Sequence, residues 1–244
     1  MDLAALAFAL AAVTLGAVVR GYSGFGSSLI WMSSLSLVFA PVLVVPAVYI
    51  LEVLASGRLL PAVWREADWR SIKWLLLGTL LGTPPGLYLL STLPAAPVRV
   101  AISLVVFGAT LLIWRGFALK SVPGPAPTVL TGLACGLLNG WTGIGGPPAI
   151  LFYFSSPAAV AVSRASLIAF FLAIDAFGFV MATTQGLVTG QVLLLAAILS
   201  VPVLLGITVG NRRFIRTEPE SFRRFVLILL TLLSLAVFVR AVIG

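Results

Sequence analysis

Apolar residues run along this chain in long blocks, broken by short polar or basic interruptions. Residues 21–51, 74–98, 121–163 and 176–211 contain no charged side chain. About 20 consecutive apolar residues cross the hydrocarbon core of a bilayer as a helix. The longest blocks exceed one crossing, so Gly and Pro within them must divide each into two or more segments. Ten apolar segments result, at about 3–20, 24–40, 42–60, 71–91, 98–115, 128–140, 145–156, 159–184, 188–210 and 222–243. No stretch alternates as a membrane β-strand does. A backbone in lipid must satisfy its own hydrogen bonds, which leaves helices. The chain is predicted to be an all-α, polytopic transmembrane helical bundle. Its first segment ends at Arg20, with no basic region before it and no small-residue cleavage site, and reads as a membrane helix rather than a signal peptide.

Composition sharpens this picture. Hydrophobic residues make up 61% and charged residues 9%, against about 25% charged in a soluble domain. Lipid must therefore solvate most of the surface. The net charge of +8 sits mainly in loops between apolar segments, where it reports topology and implies no nucleic-acid partner. There is no histidine and one cysteine, Cys135. That excludes an internal disulfide, the common zinc sites and Ser–His or Cys–His catalysis. No metal or other cofactor is expected. Cys135, between Ala134 and Gly136, reads as a packing residue.

The chain also repeats itself. Arg20-Gly-Tyr-Ser-Gly-Phe-Gly26 matches Asn139-Gly-Trp-Thr-Gly-Ile-Gly145, aromatic for aromatic and hydroxyl for hydroxyl. Leu81 to Gly86 matches Leu205 to Gly210, and Pro94 with Arg99 matches Pro219 with Arg224. Between these, Leu51-Glu52 falls near Ile174-Asp175. We read residues 1–120 as a first transmembrane repeat, 121–127 as a Pro/Gly-rich linker and 128–244 as a second repeat. Arg58, Arg65, Arg70 and Lys73 flank one loop; Arg212, Arg213, Arg216, Arg223 and Arg224 flank another. Both loops are cytoplasmic by the positive-inside rule. The loop at 183–191, equivalent to the first of these, carries no charge. Equivalent loops then face opposite sides, the pattern of inverted-topology repeats. Each half crosses the membrane an odd number of times, as five segments or as three spans with a re-entrant pair. Both termini lie outside.

The matched Gly-rich motifs are the candidate site. Glycines in Gly21 to Ser28 permit positive φ and close backbone approach. A helix is expected to restart at Ser27 or Ser28, both good cap residues. In the second copy, Pro147 and Pro148 suit a first helical turn. A helix N-terminus presents free N–H groups and a positive dipole end, which bind anions. Two such breaks meeting in the membrane would hold one small anionic substrate. The candidate lining is Gly24, Gly26, Ser27, Ser28, Asn139, Thr142, Gly143, Gly145 and Gly146, with Ser23 adding a hydroxyl. By contrast, Gly78, Gly82 and Gly86, and likewise Gly132, Gly136 and Gly140, recur every four residues and read as helix packing.

Charges embedded in apolar segments complete the set. Glu52 and Asp175 each cost roughly 3 kcal/mol at a helix centre if ionised and unpaired. They are candidate proton-coupling residues; the alternative is structural pairing with Arg58 and Arg164. Arg164 and Arg20 adjoin the two breaks, and a guanidinium forks onto an oxyanion. Each has a plainer reading, Arg164 as an interfacial anchor and Arg20 as a topology charge. Trp64, Trp69 and Trp74 read as an interfacial belt.

On the paired motifs Gly21 to Ser28 and Asn139 to Pro148, the sequence resembles the TauE/SafE family, the sulfite exporter or toluene sulfonate uptake family, over nearly its whole length. The first copy reads Gly26-Ser27-Ser28 where the family usually carries a glycine triplet. The resemblance implies a multi-pass protein of the bacterial inner membrane. It implies a secondary transporter for a sulfur-containing anion such as sulfite, a sulfonate or sulfoacetate, coupled to a proton or ion gradient. An anion channel, or a membrane component of a larger transport complex, is the alternative. Gly21-Tyr-Ser-Gly24 also resembles the G-x-S-G of rhomboid proteases, but those need a histidine base, so no enzyme is expected. Membrane lipid is the surrounding partner. Oligomeric state is open at this point, homo-oligomers included.

Overall fold

The computed structural model describes residues 3–115, 123–155 and 160–214, together with 228, 231–232 and 235–243. Nine helices form among the described residues: α1 (Leu3–Ser23), α2 (Ser27–Val38), α3 (Pro41–Val63), α4 (Trp69–Thr92), α5 (Ala95–Arg115), α6 (Pro125–Thr142), α7 (Gly146–Ser155), α8 (Val160–Thr184) and α9 (Gly190–Phe214). A single 3-10 turn, Trp64–Glu66, joins α3 to α4. Residues 235–243 are also helical. No strand occurs among the described residues. Of the linker read at 121–127, residues 121–122 lie outside the described residues, and Pro125 opens α6 after the extended Gly124. The match between Pro94–Arg99 and Pro219–Arg224 lies partly outside the described residues.

Helices α1, α3, α4, α5, α8 and α9 contain stretches long and apolar enough to cross a membrane. The other two segments that follow a break are short. At 12 residues α2 reaches only about 18 Å, and at 10 residues α7 reaches about 15 Å, roughly half of the ~30 Å hydrocarbon core. α2 doubles back along α1: the Trp31 indole, fully buried, donates to the Val13 carbonyl at 3.0 Å. Local chemistry sets the ends. Pro41 opens α3. Asp68 caps α4, its carboxylate accepting from the N–H groups of Arg70 (3.1 Å) and Ser71 (3.3 Å).

Two helix pairs touch backbone to backbone. Along α4 and α6, Gly78 faces Val129 and Leu133, Gly82 faces Leu133 and Leu137, and Gly86 faces Leu137 and Gly140. The numbers rise together, so this pair runs parallel. Along α1 and α9, Gly206 meets Thr14 and Ala17, and Gly210 meets Val18 and Tyr22, again in parallel. Small residues at these positions let the helix axes approach closely, which is what holds helices together in lipid. The opening helix of each predicted half thus packs on the fourth helix of the other. Between the two pairs, α3 crosses α8, with the Tyr49 ring seated on Gly178.

Candidate functional site

Each Gly-rich break ends one helix and starts a shorter one. At the first, α1 continues to Ser23, Gly24 donates to the Arg20 carbonyl at 2.7 Å, and the chain turns through Gly24 (φ 83°) and Gly26 (φ 90°). Gly24 has a second constraint: a methyl group built on it would lie 2.7 Å from Cγ of Arg164. α2 begins at Ser27 with Gly26, not a serine, at the cap position. The Ser27 hydroxyl is engaged elsewhere, donating to the Glu52 carboxylate. Ser28 is half-buried beside it. Ser23 closes the turn: its oxygen accepts from Phe25 N–H at 3.3 Å and lies 2.8 and 2.6 Å from the carbonyls of Val19 and Phe25.

A buried polar cluster stands at this break. Arg20 is 1% exposed and Glu52 2%. Arg20 Nη2 lies 3.4 Å from Glu52 Oε2 and donates to Ser56 Oγ at 2.6 Å. The guanidinium carbon sits 4.8 Å from the centroid of the Phe171 ring, a cation–π contact. Arg20 is therefore no loop charge marking topology. Arg58, the predicted partner of Glu52, is exposed; Arg20 from α1 holds that carboxylate instead.

The second break repeats the design with an amide in place of the arginine. Gly143 (φ 69°) turns the chain after α6, and α7 starts at Gly146 with Pro147 and Pro148 in its first turn. Asn139 is the hub. Its Oδ1 accepts from Gly145 N–H at 3.2 Å, and its Nδ2 donates to Asp175 Oδ1 at 3.0 Å. Its carbonyl accepts from the Tyr49 hydroxyl at 2.7 Å and from Gly143 N–H at 2.9 Å. Asn139 and Asp175 are 2% and 4% exposed. The Thr142 hydroxyl turns back to the Leu138 carbonyl at 2.8 Å, so it serves its own helix.

The two breaks meet through side chains. Phe171, which carries the Arg20 guanidinium on its face, also lies 3.4 Å from where a methyl on Gly146 would sit. Met32 of α2 packs against Gly143, 2.8 Å from the equivalent point there. Arg164 of α8 is 9% exposed, and its Nη2 donates to the Gly21 carbonyl (3.1 Å) and to Asn211 Oδ1 (3.3 Å). It is held inside the bundle at the first break and is not an interfacial anchor.

Tyr49, Ser56, Phe171 and Asn211 escaped the sequence reading. Three of them follow from helical spacing: Tyr49 and Ser56 stand three and four residues either side of Glu52, and Phe171 stands four before Asp175. Asn211 has no such signal.

A surface cavity of about 570 Å³ lies between α3, the turn after it and α8, lined by Gly57, Leu60, Pro61, Trp64 and Leu172 among others. None of the Gly-rich break residues lines it. Gly57 and Leu172 directly follow Ser56 and Phe171 in sequence, but none of Arg20, Glu52, Ser56 and Phe171 lines it. The Trp64 and Trp69 rings pack 4.2 Å apart at its rim, and Trp64 and Trp74 are exposed, as an interfacial belt requires.

The profile of the family described as sulfite exporter TauE/SafE matches residues 8–237. The "Probable sulfite/organosulfonate exporter TauE" of Cupriavidus necator is 32% identical over 208 residues, covering 82% of this chain and 80% of that protein. No solved structure matches. Both descriptions are of exporters, and neither is of an enzyme. With apolar helices long enough to cross a membrane and that family profile along nearly its full length, this multi-pass membrane protein belongs to the sulfite exporter TauE/SafE family of transporters.

Proposed function

We propose that the chain is a secondary carrier of the bacterial inner membrane that moves a small sulfur-containing oxyanion by alternating access between two inverted halves. One observation carries this reading. Each Gly-rich break sets the start of a short helix beside a buried carboxylate, and Phe171 touches both breaks. The reciprocal pairing of α1 with α9 and of α4 with α6 supports the inverted repeat. The name of the C. necator relative supports sulfite or an organosulfonate as the substrate class.

In this reading the starts of α2, at Ser27 and Ser28, and of α7, at Gly146, hold the oxyanion through backbone N–H groups and the positive helix ends, while Gly145 N–H stays on Asn139 and fixes the turn. Arg20 compensates its charge, and Arg164 holds the first break in place through the Gly21 carbonyl and Asn211. Glu52 or Asp175 takes or releases the coupling proton. The cavity between α3 and α8 is the cytoplasmic approach. Prolines and glycines at the breaks let short helices rock without losing hydrogen bonds that lipid could not replace.

Reconstituted in liposomes, the protein should move sulfite or an alkanesulfonate at a rate that responds to an imposed pH gradient. Gly26→Leu and Gly145→Leu should each slow that flux at least about tenfold, equivalent to about 1.4 kcal/mol. For Gly145 the cause is crowding: a methyl there would stand 2.9 Å from Cβ of Asn139 and 3.0 Å from the Cys135 carbonyl. For Gly26 it is the positive φ. Wild-type flux in both variants would remove the breaks from the site. Channel-like rates without counterflow would favour an anion channel.

A second prediction concerns the approach. Leu172→Trp should fill the cavity and slow uptake of cytoplasmic-side substrate while leaving thermal stability near wild type, because Leu172 is only partly buried. Unchanged flux would show that substrate takes another route.

A further inference from the structure

Resting on the carrier reading, we infer that Glu52 is the resident counter-ion of Arg20 and that a bound oxyanion replaces it there, so that each anion enters together with one proton. The ion pair is built to be exchanged. It is a single contact, Nη2 to Oε2 at 3.4 Å, without the two parallel bonds that guanidinium–carboxylate pairs frequently make. Neither Arg20 Nε nor Glu52 Oε2 has a hydrogen-bond partner among the described residues, although both are buried. Nε and Nη2 form one edge of the guanidinium, the edge that takes an oxyanion with two parallel bonds. The Phe171 ring lies under the guanidinium carbon, 4.8 Å away at its centroid. Ser27, at the first position of α2, donates to the other oxygen of Glu52, so the carboxylate keeps an anchor when Oε2 lets go.

Charge conservation supplies the proton. A buried ion left without a counter-charge is costly. Before exchange the site holds one cation and one carboxylate. When a sulfonate takes the Arg20 edge, Glu52 loses its partner while an anion arrives, and the cluster gains a negative charge. A proton from solution, ending on Oε2, restores neutrality. The products are Arg20 paired with the sulfonate and a neutral Glu52. No bond besides that to the proton is made or broken. The empty carrier needs no ion at this site either, because Glu52 fills the role of the anion.

Other charged groups bear on this titration. Asp175 and Arg164, both from α8, lie within electrostatic reach of the pair. Tyr49 on α3 stands beside Asp175 through Asn139. α9 carries charge only at Arg212 and Arg213, near its end. Asp175 keeps its hydrogen bond to Asn139 throughout, and Arg164 keeps Gly21 and Asn211, so neither has to change partner.

The test is calorimetry of methanesulfonate binding to the purified protein near neutral pH, in buffers of different ionisation enthalpy. This anion stays fully ionised, so any proton uptake belongs to the protein. The wild type should take up about one proton per anion. Glu52→Gln should bind without proton uptake and at least about tenfold tighter, since nothing competes for Arg20. Asp175→Asn should retain the uptake. Removing Arg20 alone risks leaving Glu52 buried and unpaired; the double variant Arg20→Gln/Glu52→Gln avoids that and should bind at least about 30-fold more weakly than the wild type. Binding to the wild type without proton uptake would overturn the exchange and leave the carrier reading standing. So would uptake that survives in Glu52→Gln, or that disappears in Asp175→Asn alone. If the wild type binds neither methanesulfonate nor sulfite, both readings fall.

Discussion

Gly132→Leu is expected to leave little folded protein. A methyl group at this position would stand 2.0 Å from the Leu75 carbonyl oxygen and 2.9 Å from its Cα. Those are backbone atoms of α4, which cannot swing aside as a side chain does. The helices would have to separate along the whole seam that Gly78, Gly82 and Gly86 form with Gly136 and Gly140. Overpacking a core typically costs about 1–3 kcal/mol. Here the obstacle is main chain, and lipid offers no hydrophobic force to press the helices together again, so the cost should exceed about 3 kcal/mol. That is a large share of a stability of about 5–15 kcal/mol. Melting temperature and size-exclusion behaviour in detergent measure it. Gly57→Ala and Gly108→Ala are the controls. Nothing lies within 4 Å of a methyl at either helical position, and each should be neutral or stabilise by up to about 1 kcal/mol. A wild-type melting temperature for Gly132→Leu would mean that α4 and α6 do not touch along this seam.

Asn139→Asp is expected to abolish most transport by a different route. The change keeps the shape of the side chain and converts its one donor group into an acceptor. The Nδ2 now donating to Asp175 at 3.0 Å would become an oxygen facing an oxygen. Either the two carboxylates repel or one must hold a proton permanently, and a buried polar group left without its partner costs about 1–3 kcal/mol. The other contact should survive, since a carboxylate oxygen accepts the Gly145 N–H as well as an amide oxygen does. The damage is thus confined to the link between α6 and α8. The swap Asn139→Asp/Asp175→Asn makes this checkable, because it puts the donor on α8 and the acceptor on α6 while retaining one acid. Flux and melting temperature in the double variant should recover most of what the single variant loses. A double variant no better than the single one would show that the identity of the acid at Asp175, and not the bond, is what matters.

These two predictions mark where the chain's own pattern was sufficient and where it was not. The four-residue spacing of Gly132, Gly136 and Gly140 identified a packing stripe, because that spacing places small residues along one helix face whatever the partner. It could not say that the partner is α4, or that α1 would seek α9, since Gly206 and Gly210 read equally well as part of their own segment. The breaks were visible as glycine clusters with proline or serine after them. Their helix starts came within a residue or two of those observed, although Gly26 replaced the expected serine cap because Ser27 is drawn to Glu52. Arg20 and Arg164 were recognised as charges near the breaks, but a charge at the end of an apolar segment looks the same whether it faces water or a buried carboxylate.

What the sequence determined unaided is the set of properties that lipid imposes locally: a membrane-spanning helical chain, the two interruptions and the acids embedded at Glu52 and Asp175. Each follows from the cost of exposing backbone or charge to hydrocarbon, which acts on every segment separately. Tertiary structure alone decided the partnerships: Arg20 with Glu52 and Ser56, Asn139 between Gly145 and Asp175, and Phe171 between the two breaks. Those depend on how closely helices distant in sequence can approach, and that distance is fixed by surfaces fitting together in three dimensions, which no local pattern of residues encodes.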